Sequence, residues 1–206
     1  MLAALLIGAV AAADAAKPHD HTGKLAAYAG APPPVTLAAD ELAKLEAGEV
    51  VLKQQQSGNG GRGVAVFHVR ASADTVWRTI TNFAMYPKWV DNVAVCENYA
   101  NDGTHIRTRF VLDPFGMNVE YFIHHVYRPA QGYMTWTLDY TRLSDFDDSV
   151  GYWRVTPVST TPPVTRVEYS VGILFKGYVP GFVADMVSEK GLRNATQWVR
   201  KQAEGG

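Results

Sequence analysis

The side chains able to do chemistry are chiefly six histidines and ten tyrosines, and one histidine stands apart. His125 falls in a β-rich run beside Tyr121, on a face that is otherwise apolar. Imidazole titrates near neutrality, which suits proton transfer. In a reaction His125 would act with Tyr121 and Arg142 as polarising groups; the same pattern also describes a core histidine bonded to backbone. Thr108, Tyr140 and Tyr169 are further polar groups on that face. A tyrosine brings a large apolar body and one hydroxyl, and a few such groups in apolar walls suit the orientation of a small hydrophobic ligand. Mutual hydrogen bonding would account for them equally well one by one. His68, His105 and His124 fall near strand ends or on the polar face and receive no role.

Other constellations carry less. His19-Asp20-His21 could hold a metal loosely, but no further ligand lies nearby in sequence, so it reads as part of a flexible tail. Asp145-Phe146-Asp147-Asp148 reads as a solvated acidic turn. The glycine-rich GNGGRG at 58–63 lacks the Lys-Ser/Thr of a phosphate loop and joins two strands, so it reads as a turn. Neither a G-x-S-x-G elbow nor an HExxH pair occurs. Cys96, the single cysteine, has no internal disulfide partner and reads as a small apolar residue in a strand. No metal or cofactor is expected.

Composition narrows the class. The 206 residues are 47% hydrophobic and 19% charged, which excludes disorder and coiled coil. Nineteen basic against twenty acidic residues leave a net charge of −1, so the electrostatic footprint of a nucleic-acid binder is missing. Residues 1–15 open with MLAALLIGAVAAA, a short apolar core ending in Ala-x-Ala triplets, although no Lys or Arg precedes it. That is the pattern of a secretory signal peptide, cut after Ala11, Ala13 or Ala15, and it implies a periplasmic or secreted protein. Residues 16–35, rich in Ala, Gly and Pro, read as a flexible, extended linker. Residues 36–206 form one domain.

Within that domain Thr36 is placed to cap a short helix, with Leu37, Leu42 and Leu45 inward and Gly48 as its stop. A strand, a Gly-rich turn and the run VAVFHV follow, then a helix capped by Ser72 that must stop near Pro87. From Val93 to Lys176 successive β-rich runs are separated only by turn signals, which means an antiparallel meander. A turn at Pro114–Met117 sets Phe110 opposite Tyr121, Thr108 opposite Ile123 and Ile106 opposite His125. A second turn at Pro129–Gly132 sets His125 opposite Trp136, Ile123 opposite Leu138 and Tyr121 opposite Tyr140. Because side chains alternate across a strand, both turns place the same residues on one greasy face. Arg107, Arg109, Glu120, His124, Thr135, Thr137 and Asp139 fall on the other, facing water. A closing helix from Pro180 to about Ala203 carries an apolar stripe including Phe182, Met186 and Trp198, and would cover the greasy face.

The order of these elements resembles the START-like, or SRPBCC, superfamily, in particular its polyketide cyclase/dehydrase and coenzyme Q-binding-like members. The echoes are Val76-Trp77 with Asn82-Phe83, Tyr86-Pro87-Lys88-Trp89-Val90, Gly151-Tyr152-Trp153-Arg154-Val155 and Val179-Pro180-Gly181-Phe182. The resemblance implies an α+β helix-grip fold, a curved antiparallel sheet wrapped around a long C-terminal helix with a hydrophobic cavity between them. It implies a lipid, sterol, quinone or polyketide-like ligand, bound among Thr108, Phe110, Tyr121, Ile123, His125, Trp136, Leu138, Tyr140, Trp153, Tyr169, Phe182 and Met186. Binding and transfer of such a ligand, with transient membrane contact, is the first expectation. A cyclase/dehydrase reaction in the same cavity is the second. The third is an interaction module with a filled core and an exposed Trp89 or Tyr86 patch.

Overall fold

The fold was analysed in a computed structural model, which describes residues 12–57, 59–113, 118–177 and 188–205. Its frame is a sheet of eight antiparallel strands in the order β1-β2-β8-β7-β6-β5-β4-β3. The strands are β1 (Val51–Ser57), β2 (Gly60–Val69), β3 (Val93–Asn101), β4 (His105–Leu112), β5 (Val119–Arg128), β6 (Tyr133–Leu138), β7 (Phe146–Thr160) and β8 (Pro163–Phe175). The helices are α1 (Ala39–Glu46), α2 (Ala73–Ile80), the single turn α3 (Tyr86–Trp89) and α4 (Glu189–Ala203). Curving one sheet around one helix gives a one-faced sheet the cover it needs. Among the described residues no helix is long and apolar enough to cross a membrane.

Local chemistry explains the boundaries. Ser72 accepts the Thr75 amide and starts α2, whose buried side is Val76, Trp77, Thr79 and Ile80. Ser188 does the same for α4 through the Gly191 amide at 3.2 Å. The buried stripe of α4 is Leu192, Thr196, Trp198 and Val199. The expected helix start at Pro180, with Phe182 and Met186, lies outside the described residues, as does the turn at 114–117. Helix α1 begins later than expected, with Ala38 rather than Thr36 at its cap and Glu41 reaching back to the Ala38 amide. Leu45 is buried, whereas Leu42 faces out. Gly48, at φ +82°, ends the element as expected.

The expected register holds along β4–β5, where Phe110 faces Tyr121, Thr108 faces Ile123 and Ile106 faces His125. It holds along β5–β6 for His125 with Trp136 and Ile123 with Leu138. It fails at Tyr140. There the Asp139 carboxylate takes both the amide and the hydroxyl of Thr141, a local turn that ends β6 before Tyr140 can pair. Tyr140 swings to the convex face and donates to Asp148 at 2.8 Å.

The convex face is not left to water. Residues 12–35 run across it as an extended strap. Asp14 and Leu143 exchange backbone hydrogen bonds. The amides of Lys24 and Leu25 donate to Asp148 Oδ2 at 2.6 and 2.7 Å, and Val35 donates to Glu168 at 3.0 Å. Tyr28 packs edge-on against Tyr152, and Arg154 reaches the Pro32 carbonyl. Extended backbone with few internal bonds must find acceptors elsewhere, and buried carboxylates supply them. The reading of 16–35 as a free linker is therefore corrected. The acidic run is corrected too: Asp148 is fully buried at the start of β7, not in a solvated turn. His19, read as part of a flexible tail, is a buried part of the strap. Its Nδ1 accepts the Ser144 amide, and its Nε2 therefore donates to the Asp147 carbonyl at 2.9 Å.

Candidate functional site

Between the concave face of the sheet and α4 lies a cavity of about 310 Å³. Strands β4 to β8 supply Phe110, Tyr121, Ile123, His125, Trp136, Phe146, Trp153 and Tyr169 to its wall, and α4 supplies Asn194, Ala195 and Trp198. The elbow after α2 supplies Phe83, Tyr86 and Val90. The filled-core reading is thereby overturned. Tyr86 is buried and donates its hydroxyl to the Ile80 carbonyl at 2.6 Å, and Trp89 stacks on Trp198. Neither forms an exposed patch.

The wall is organised as a closed circuit of rings. Phe83 lies 5.1 Å from His125, His125 6.3 Å from Trp136, and Trp136 5.7 Å from Tyr169. Tyr169 lies 4.5 Å from Trp153, Trp153 6.4 Å from Trp198, Trp198 4.7 Å from Tyr86, and Tyr86 5.4 Å from Phe83. A second row branches from Tyr86 through Phe110 to Tyr121, whose rings stack 5.1 Å apart, and on to Phe146. The contacts are mostly tilted or edge-on, the geometry that aromatic quadrupoles favour. Gly151 makes the circuit possible, because any side chain there would collide with the Trp136 indole and the Ser170 carbonyl.

One member of the circuit is an imidazole. Both ring nitrogens of His125 are buried without a hydrogen-bond partner among the described residues. Burial, with a smaller contribution from the neighbouring His124, pulls its pKa down from 6.5 to about 3, so the imidazole is neutral at physiological pH. Burial likewise pushes the hydroxyls of Tyr121 and Tyr169 upward, keeping them protonated donors. Ser149, from β7, adds another polar side chain to the wall. Buried polar groups are nearly always satisfied, so an orphaned imidazole facing a cavity marks a place for a ligand atom or a water.

Of the residues expected at the site, Phe110, Tyr121, Ile123, His125, Trp136, Trp153 and Tyr169 line the cavity. Thr108 and Leu138 are buried but do not reach it; the Thr108 hydroxyl donates to Asn98 at 2.9 Å. Tyr140 is on the convex face, and Phe182 and Met186 lie outside the described residues. Arg142 is not a polarising group of this site, since its guanidinium sits 4.0 Å over the Tyr99 ring on the other side of the sheet. Nearby, burial opposes the charge on Asp139, but hydrogen bonds from Arg107, Tyr99 and Thr141 outweigh it and hold the carboxyl at about 2. The assignment of Asp139 to a water-facing surface is corrected, as it is almost fully buried. Cys96 is buried as expected, and burial raises its thiol well above the ordinary range. The sequence reading missed Phe83, Tyr86, Ser149, Asn194 and Trp198 as lining residues. The apolar stripe of the closing helix marked Trp198 as buried, but nothing local said that it faced a hollow.

Comparison with known proteins agrees with this geometry. The sequence profile described as polyketide cyclase / dehydrase and lipid transport matches residues 62–202. No curated protein matches the sequence. Among solved structures, the chain is similar to the STAR-related lipid transfer protein from Xanthomonas axonopodis at 17% identity and a TM-score of 0.61, covering 75% of this chain and 93% of that one. It is similar to the Zhui aromatase/cyclase from Streptomyces sp. R1128 at 14% identity and a TM-score of 0.58, covering 76% and 94%. A START superfamily protein from Mycobacterium smegmatis aligns at 21% identity and a TM-score of 0.57, covering 69% and 97%. The helix-grip fold is common to all of them.

Proposed function

The chain belongs to the polyketide cyclase / dehydrase and lipid transport family, and we propose that it is an exported protein that binds and carries a hydrophobic small molecule, of lipid, sterol, quinone or polyketide-like chemistry, without altering it. The observation that supports this reading is the ring-lined cavity with an orphaned imidazole in its wall. Apolar walls with a few polar groups are what a carrier of a greasy ligand needs. Export rests on the short apolar core and Ala-x-Ala triplets of residues 1–15.

A cyclase/dehydrase reaction is the second reading, favoured by His125 reaching the cavity. Against it, an imidazole whose conjugate acid has a pKa of about 3 is a weak base at neutral pH. Arg142, its expected partner, is on the far face. The deciding experiment is native mass spectrometry of the protein expressed with its leader and recovered from the periplasm. A stoichiometric hydrophobic adduct supports the carrier. Protein that is empty, and that also fails to take up lipids, sterols and quinones from a panel, overturns it. Turnover of a bound compound that His125→Ala abolishes while affinity stays within a few-fold would favour the enzyme.

A further inference from the structure

Resting on the ligand-binding reading, we propose that the cavity selects an uncharged, flat hydrophobic ligand bearing a hydroxyl or carbonyl group, which enters polar end first and is held by His125, and that it rejects anionic amphiphiles such as fatty acids. The shape follows from the wall. The circuit through Phe83, Trp136, Tyr169 and Trp153 supplies ring faces and edges to the wall beside the aliphatic Leu112, Val171 and Ile173, and offset or edge-on packing on those rings rewards another ring system over a flexible chain.

The orientation follows from where polarity lies. Inside, His125 offers a donor on one nitrogen and an acceptor on the other, both unused among the described residues. The charged members of the lining, Asp91 and Lys190, are exposed, which places them on the solvent side. A hydroxyl or a carbonyl satisfies one or both imidazole positions, whereas a purely apolar ligand leaves them orphaned.

Neutrality follows from what the cavity lacks. Lys190 is the one cation of its described lining. The residues outside the described set (1–11, 58, 114–117, 178–187 and 206) contain no Lys, Arg or His, so none of them supplies a cationic side chain. Arg107 and Arg109 are committed to Asp139, Glu97 and Glu120 on the convex side. Burial keeps the imidazole itself uncharged. A carboxylate drawn in beside His125 would lose its hydration with no compensating charge, a large penalty.

The test uses three naphthalenes substituted at the same ring position: naphthol, methylnaphthalene and naphthoate. Binding to the full chain, freed of co-purified ligand on a hydrophobic resin, is read by equilibrium dialysis at neutral pH. Naphthol is expected to bind about tenfold more tightly than methylnaphthalene, the effect of one buried hydrogen bond, and naphthoate more weakly than either. His125→Phe should erase the preference for naphthol while leaving methylnaphthalene affinity nearly unchanged, and His125→Gln, which keeps a donor and an acceptor, should retain it. Naphthoate binding as tightly as naphthol overturns the proposal, and so does a preference that survives in His125→Phe. Should His125→Phe not fold, the wild-type ranking decides on its own. Methylnaphthalene binding with no preference among the three defeats this inference alone. Failure of all three compounds and of the lipid, sterol and quinone panel defeats the carrier reading with it.

Discussion

The hydroxyl of Tyr140 donates to Oδ1 of Asp148 at 2.8 Å, and Oδ2 of the same carboxylate accepts the amides of Lys24 and Leu25. One buried side chain thus joins the end of β6, the start of β7 and the strap that crosses the convex face. The Ser149 amide also donates to it. Removing the acceptor strands the buried Ser149 amide and three part-buried donors at once, which costs more than the bonds themselves contributed.

Asp148→Ala should therefore lower unfolding free energy by about 3 kcal/mol or more, and Asp148→Asn, which keeps one acceptor oxygen, by less. Denaturant unfolding measures the loss. Limited trypsin digestion should cut sooner after Lys24 in the alanine variant, because the strap has lost its anchor. Unchanged stability and digestion would mean that the strap is held by its other contacts alone.

Stability should fall on mild acidification, and His125 should carry much of the slope. Its pKa lies at about 3 when folded against an ordinary 6.5, so the unfolded chain takes up the proton first. The contribution is intact above pH 6.5 and is lost as pH falls from there towards 3, reaching about 2 kcal/mol by about pH 5. Burial also lowers His19, which adds to the trend in the same direction. Comparing denaturation midpoints of wild type and His125→Phe at neutral and mildly acidic pH isolates the difference. Parallel pH profiles would show that His125 is not buried uncharged.

Gly151→Ala should disturb the ring circuit with no change in polarity. The added methyl group meets the Trp136 indole and the Ser170 carbonyl, and backbone cannot yield as a flexible side chain can. A loss of about 1–3 kcal/mol is expected from overpacking, together with weaker uptake of whatever ligand the wild type carries. Retained stability with full binding would mean that the sheet opens there at little cost.

Export predicts a particular mature end. Cleavage after Ala11, which completes the triplet Ala9-Val10-Ala11, would leave the Ala13–Asp145 contact and the Asp14–Leu143 bridge in place, whereas a cut after Ala15 would remove both. N-terminal sequencing of periplasmic protein should therefore begin at Ala12. An uncleaved chain that stays in the cytoplasm would remove the case for export.

Much of the architecture was legible in the residues. Alternation along β4, β5 and β6 placed Phe110 against Tyr121 and His125 against Trp136, because side-chain direction in a strand is a local property with period two. Ser72 as a cap and Gly48 as a stop were legible for the same reason, since each acts within one turn of chain. The resemblance supplied the closure of the sheet around a helix. What only tertiary structure decided was anything set by contacts between distant segments. Composition alone made 16–35 look like a tether, yet Asp148 and Glu168, more than a hundred residues away, hold it down. Pattern put Tyr140 with the greasy residues, but the turn made by Asp139 released it to the other face. The hollow itself depends on sheet curvature and on Gly151 admitting an indole, and no local pattern encodes the space left between surfaces. His125 shows both sides: its place on the face was written in the strand, and its lack of a hydrogen-bond partner among the described residues emerged only once the neighbouring rings of Phe83 and Trp136 were in place.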